Sequence, residues 1–503
     1  MAKDTDLSLS ESDAAVDAGS ARAMSRAATQ GAAWTALQLW GVNAGGFVVF
    51  LILGRLLRPA DFGVVAAAYT VTTLLRVIVD AGFTRYLVQR RDLPLIFADT
   101  AFWTAVTAAL GFTAITMATA PLFADLFGIP RLTLVIRVMS ALFILTALDA
   151  TQSGLLDRRM QFRIQAIRRL TATLMGGIAA VSLAFAGAGV WALVAQQLVI
   201  EGVTVALLWR LASWRPRFRA SRSCLRELFP FGLRMTGIRL TQFAMLNADN
   251  FFVGIVFGKV ALGYYVVAYR LFSALNDMII MMINRVALAT FSRLQHDRGL
   301  VNAAFYRASR IGSLIGLPVY AGLALVARQV IVVLLGSRWT PSAPLLEVLT
   351  VAAFAQGQLA LCSSYVTAIG RIRNEFRWSI SIAVVQVAAF AVAAQLTLFA
   401  VAASVGIVLL GSWPLRMLQL RRLGGLELRQ YFGHYPRLAA STLGMAMGVA
   451  VIRHELAGAQ PVVALAAEIA AAAVLLALGL RVLAPDLIGE VRDMARTFRP
   501  ARA

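Results

Sequence analysis

Residues 54–70, GRLLRPADFGVVAAAYT, return 200 positions later as residues 254–270, GIVFGKVALGYYVVAYR. Gly54, Gly63, Ala68 and Tyr69 recur as Gly254, Gly263, Ala268 and Tyr269, and Phe62 corresponds to Leu262. Each copy straddles a break between two apolar runs of about 20 residues, the length that crosses a bilayer as a helix. Outward from these copies, apolar runs alternate with clusters of Arg, Gly and Pro over the whole chain. Fourteen spans are expected, starting near residues 32, 62, 98, 131, 168, 189, 228, 259, 304, 341, 375, 399, 437 and 461. The copies lie between spans 1 and 2 and between spans 7 and 8. Six spans separate them, an even number, so the halves share one orientation and a pseudo-twofold axis along the membrane normal. The fold class expected is all-α and polytopic: two six-helix lobes and two C-terminal helices.

With 59% hydrophobic and only 14% charged residues, and a mean hydropathy of +0.75, the chain is not a soluble enzyme. Its 47 basic against 25 acidic residues would suggest nucleic acid in a soluble protein. Here their placement is what matters. If the even-numbered connections and both termini share one side, the basic residues outside spans fall there, apart from Arg55, Arg58, Arg131, Lys259, Arg328, Arg338 and Arg453. The positive-inside rule makes that side cytoplasmic. The expected organisation is a disordered cytoplasmic tail (1–30), an N-terminal lobe (31–212), a basic cytoplasmic linker (213–227), a C-terminal lobe (228–421), two further spans (437–484) and a cytoplasmic tail (485–503). The segment from Arg158 to Arg169 alternates bases with Met160, Phe162, Ile164 and Ile167, the pattern of an interfacial helix on anionic headgroups, and is expected to be a topology determinant with no substrate role.

Cys224 and Cys362 lie far apart, and His296, His434 and His454 are scattered, so neither a disulfide framework nor a metal site is indicated. The one Gly-Lys pair, Gly258 and Lys259, lacks the upstream glycine spacing of a phosphate loop. Connections are too short for an ATPase or a catalytic module. No cofactor is implied, and a driving ion gradient, of protons or sodium, is left open.

A charge inside a span costs about 2.5–3.5 kcal/mol at the bilayer centre unless it pairs or meets water. Arg76 and Asp80 sit four apart on one helical face, as a local ion pair or as part of a site. Arg239 and Arg270 each lie 11 residues past the start of a span, one running outward and one inward, so both reach about 16 Å into the bilayer. Together with Asp249 and Asp277 they form either a hydrated cavity for an anion such as a phosphate, or internal salt bridges that fix helix packing.

LLRPADFG (56–63), DAGFTRYLVQRRD (80–92), NADNFFVG (247–254), ALGYYVVAYR (261–270), GSRWTPSAP (336–344) and AIGR (368–371) together resemble the polysaccharide transporter (Wzx-type flippase) family, closest to its exopolysaccharide branch. That family sits in the superfamily of multidrug, oligosaccharidyl-lipid and polysaccharide exporters. The resemblance implies two lobes around a central cavity, no enzymatic activity, and undecaprenyl-diphosphate-linked oligosaccharides as substrate. They would be moved from the cytoplasmic to the periplasmic leaflet of the bacterial inner membrane for O-antigen, capsule or exopolysaccharide assembly. Implied partners are the lipid-linked oligosaccharide, the membrane, and the polysaccharide polymerase and export machinery, with no nucleic acid. The alternatives are an ion-coupled multidrug or metabolite extruder of the same superfamily, which should carry a carboxylate in an early span, and a membrane glycan polymerase or transferase, which should carry a large outside loop.

Overall fold

The computed structural model describes residues 34–79, 86, 94–212, 214–456 and 458–483. Its helices are α1 (Trp34–Leu56), α2 (Pro59–Val79), α3 (Leu95–Leu126), α4 (Leu132–Met139), α5 (Ala141–Arg158), α6 (Phe162–Phe185), α7 (Val190–Leu211), α8 (Arg222–Leu294), α9 (Arg298–Leu335), α10 (Ala343–Ala368), α11 (Ile372–Ala393), α12 (Leu398–Gly424), α13 (Leu428–Phe432), α14 (Tyr435–Glu455) and α15 (Pro461–Leu483). Thirteen helical stretches among the described residues are long and apolar enough to cross a membrane, which makes this a multi-pass membrane protein. One of them, Arg222–Asp277, is 56 residues long, about 84 Å at the helical rise and far more than one crossing needs. α8 is two helices merged across Gly258, whose φ of 75° suits a residue without a Cβ. Counting this stretch as two gives the fourteen passes expected from hydropathy.

The chain divides into two compact units. The first holds the described residues of Met1–Leu57 with Ala68–Phe243, the second Arg58–Ala67 with the described residues of Ala244–Ala503. The division falls within α2 and within α8, so these two helices each contribute to both units.

In the first unit α6 and α7 pack closely because small residues line the seam. A Cβ on Gly176 would overlap the Ile200 side chain, and one on Gly177 would overlap Val49 of α1. Such close approach is how helices associate where lipid supplies no hydrophobic drive. α3 and α5 meet through Ala105, Ala109, Phe143 and Ala147. The basic connection ahead of α8 is tied to α3. Asp99 accepts from the Arg217 backbone N–H at 3.1 Å, Trp103 Nε1 donates to the Arg217 carbonyl at 2.9 Å, and Trp214 is buried against Phe102.

The segment from Arg158 to Arg169 is not an interfacial helix along its length. α6 already starts at Phe162, and Arg168, fully buried, is ion-paired to Asp149 of α5. Its guanidinium also donates to Ser153 Oγ at 3.0 Å and to Gln165 Oε1. Polar partners on α5 draw this arginine inside.

The second unit is built on α9, α10 and α12, with a buried aromatic cluster of Phe291, Phe305, Tyr365 and Tyr431 at one end. The two C-terminal spans pack on each other and on α9, where Gln329 Nε2 donates to Glu468 at 2.9 Å and Arg453 donates to the Leu325 carbonyl at 3.0 Å.

The sequence repeat is also a contact in this unit. A Cβ on Gly63 would overlap the Lys259 carbonyl, and a Cβ on Gly263 would overlap the Pro59 carbonyl. Pro59 and Lys259 stand at the same offset as the two glycines, so the contact maps onto itself under the repeat, as an interface on a twofold axis does. Only residues without side chains allow these backbones to touch. A second echo lies in the turns after α5 and α10. Met160 (φ 53°) and Gly370 (φ 75°) donate to the carbonyls of Asp157 and Thr367, and the next residues to those of Leu156 and Val366. Among the described residues Met160 is the one non-glycine with positive φ, holding the place that glycine holds in the second half.

Candidate functional site

The first unit carries a partly open cavity of about 480 Å³, within the range of small-molecule sites. α2 contributes Tyr69, Thr73 and Arg76 to its wall; α5 contributes Thr146, Asp149, Ser153 and Asp157; α6 contributes Arg169 and α8 contributes Arg239. These residues recur along α2 and α5 at spacings of three to four, which places them on one face of each helix.

The charges on this wall are held from behind. Glu201 of α7 accepts from Arg76 Nη2 at 2.6 Å; the arginine side chain is 27% exposed, the glutamate 11%. Asp149 is bound by Arg168, and Asp157 accepts from Gln165 Nε2 at 3.0 Å. Four guanidinium groups (Arg76, Arg168, Arg169, Arg239) stand against three carboxylates (Asp149, Asp157, Glu201), leaving one net positive charge. The site can attract an anion, and Arg76, Arg169 and Arg239, which line it, carry planar forks suited to phosphate oxygens.

The structure distributes the six sequence-predicted site residues unequally. Arg76 and Arg239 meet in this cavity. Asp80, the expected partner of Arg76, lies outside the described residues, and the ion-pair partner seen for Arg76 is Glu201. Arg270, Asp249 and Asp277 belong to the second unit. There the Asp249 carboxylate, 3% exposed, accepts from the Tyr265 hydroxyl at 2.8 Å and from the Asn250 N–H at 2.7 Å, while Arg270 and Asp277 are exposed. Sequence reasoning missed the acceptor Glu201 and the buried pairs Arg168–Asp149 and, in the second unit, Arg416–Glu375, the last with Arg416 also over the Trp378 ring.

The repeat shows what is special about the first unit. At the offset of 200, Tyr69, Thr73 and Arg76 become Tyr269, Ser273 and Asn276. Asn276 is buried; its amide donates to Gln356 at 3.1 Å and accepts from the Tyr320 hydroxyl at 2.9 Å. Where one unit carries a guanidinium facing a cavity, the other carries a buried neutral amide bonded to two neighbours.

Residues 52–344 match the family model described as "Polysaccharide biosynthesis protein". The chain is similar to the succinoglycan biosynthesis transport protein ExoT of Rhizobium meliloti (strain 1021), 30% identical over 72% of this chain and 74% of the relative. It is also similar to the teichuronic acid biosynthesis protein TuaB of Bacillus subtilis (strain 168), 24% identical over 69% of this chain and 72% of that protein. Among solved structures its fold resembles the lipid II flippase MurJ in an inward closed conformation, with a TM-score of 0.72 and 13% identity over 90% of this chain and 99% of that one. It also resembles an inward-facing multidrug resistance MATE family transporter, with a TM-score of 0.58 and 18% identity over 77% and 95%. ExoT is a transport protein, MurJ a flippase and the MATE protein a transporter, and the chain belongs to the polysaccharide biosynthesis protein family as one of its multi-pass membrane members.

Proposed function

We propose that the chain is a flippase for undecaprenyl-diphosphate-linked oligosaccharide repeat units, moving them from the cytoplasmic to the periplasmic leaflet of a bacterial inner membrane for exopolysaccharide, O-antigen or capsule assembly. Both termini are cytoplasmic in this reading, and two lobes, residues 31–212 and 228–421, alternate in exposing the site. The observation that carries it is the first-unit cavity, where Arg76, Arg169 and Arg239 offer guanidinium groups to a diphosphate. Their fixed charge offsets part of the cost of taking an anion through hydrocarbon. The net charge is only one, which keeps affinity modest, so the headgroup leaves once the other side opens.

A cation extruder of similar fold would need an available carboxylate. In the cavity Asp149 is ion-paired to Arg168, and the three lining arginines outnumber the two lining carboxylates, which favours the anionic substrate.

Deleting the gene in its host is expected to abolish one surface polysaccharide and to leave the lipid-linked repeat unit accessible only from the cytoplasmic face, both restored by the wild-type gene. Normal polysaccharide with a loss of drug tolerance would instead establish the extruder.

A further inference from the structure

Glu201 lies off the cavity wall and is the carboxylate that pairs directly with one of the wall's arginines. At 2.6 Å from Arg76 it orients the guanidinium, and it also competes with any anion that would bind there. That carboxylate is largely buried, and holding a charge there costs desolvation that pairing with Arg76 must offset. It sits on α7, whereas Arg76 is on α2, 125 residues away in sequence, so the pair does not follow from local helix geometry.

We propose that Glu201 is an internal competitor for Arg76: it holds the guanidinium when the cavity is empty, the diphosphate of the substrate takes its place, and its return helps to expel the headgroup. The inference rests on the flippase reading and deepens it by naming the residue that limits affinity. Three observations support it. Arg76 faces the cavity while Glu201 is not on its wall, so one guanidinium lies between an internal anion and the space an external one would fill. The other two acids of the site already have partners away from Arg76, Arg168 for Asp149 and Gln165 for Asp157. In the second unit the position equivalent to Arg76 is Asn276, which needs no counter-ion.

A residue that merely supports the fold would, when altered, weaken binding and transport together or leave both unchanged. A competitor separates them. The test measures binding of a prenyl diphosphate carried in the detergent micelle, and separately of inorganic pyrophosphate, to the purified full chain, alongside transport by the same variants in vesicles. Glu201→Gln is expected to bind about tenfold more tightly, a change of roughly 1.4 kcal/mol, and to turn over several-fold more slowly. Glu201→Asp keeps the charge on a shorter arm and should fall between Gln and wild type, which guards against a Gln variant that fails to fold. Arg76→Gln should weaken binding and abolish the gain from Glu201→Gln in the double variant. A gain shared by both ligands supports the proposal with the diphosphate alone as the recognised group; a gain confined to the prenyl diphosphate supports it with the lipid-linked form as the source.

Unchanged or weaker binding in both Glu201 variants overturns the proposal. So does a gain that persists without Arg76, because that would be the general field of a lost negative charge. If wild type and Arg76→Gln bind alike, the cavity reading fails as well. If Arg76 matters and Glu201 does not, the flippase reading stands and only the competitor falls.

Discussion

Arg239→Ala is expected to lower transport of the lipid-linked glycan on the order of tenfold, the value of one charge-assisted phosphate contact, with membrane abundance close to wild type. The side chain lines the cavity at a partly exposed position, so its loss leaves room for water. Arg239→Lys should recover part of the activity, keeping the charge but losing the planar fork. Adding Asp249→Asn to Arg239→Ala should not restore transport, since Asp249 is held by Tyr265 and the Asn250 amide. Arg76→Ala should be equally inactive and also less abundant, because it strands the mostly buried Glu201; Glu201→Gln should return the abundance without the activity. Quantitative membrane blots beside surface polysaccharide measurements check all five variants, and full activity in both Ala variants would remove the cavity from the mechanism.

Arg168→Ala should instead cost the fold. Arg168 is fully buried and pairs with Asp149 while donating to Ser153 and Gln165. Removing one member of a buried pair typically destabilises by about 3–5 kcal/mol, because the other charge is left without compensation. A loss of most folded protein from the membrane is the expected result, read as the detergent-stable peak on size exclusion. Arg168→Met with Asp149→Leu should recover much of it, since replacing both partners by apolar groups avoids the stranded charge. Wild-type yield of Arg168→Ala would show that this pair is not structural.

The sequence shows the membrane spans clearly and the pairing between them hardly at all. Hydropathy marks each crossing because every residue in a span contributes to the signal, and the repeat at Gly63 and Gly263 is legible because backbone contact excludes all other side chains. The turn at Gly258 lies where an apolar stretch is too long for one crossing. Charges behave differently. Arg76 seems locally matched to Asp80, four residues away, yet the pair seen is with Glu201, because side chains in neighbouring spans approach at distances sequence separation cannot express. Arg168 resembles an interfacial arginine in its run of bases, and only the position of Asp149 on α5 shows why it is inside. Depth alone made Arg239 and Arg270 equivalent. Depth fixes height in the bilayer and not the direction a helix face points, and Arg239 faces a cavity in one unit while Arg270 is an exposed residue of the other.

A flippase of this kind moves a lipid-linked glycan across the bilayer with no other protein. Reconstituting the purified chain in vesicles with a prenyl-diphosphate-linked oligosaccharide labelled on its sugar, then adding a membrane-impermeant glycosidase outside, reads this movement. With the label initially confined to the inner leaflet, wild-type protein is expected to expose it to the enzyme without ATP, and Arg239→Ala to expose it about tenfold more slowly. Exposure no faster than in protein-free vesicles across imposed proton and sodium gradients and membrane potentials, or exposure that requires ATP hydrolysis, would contradict the flippase reading.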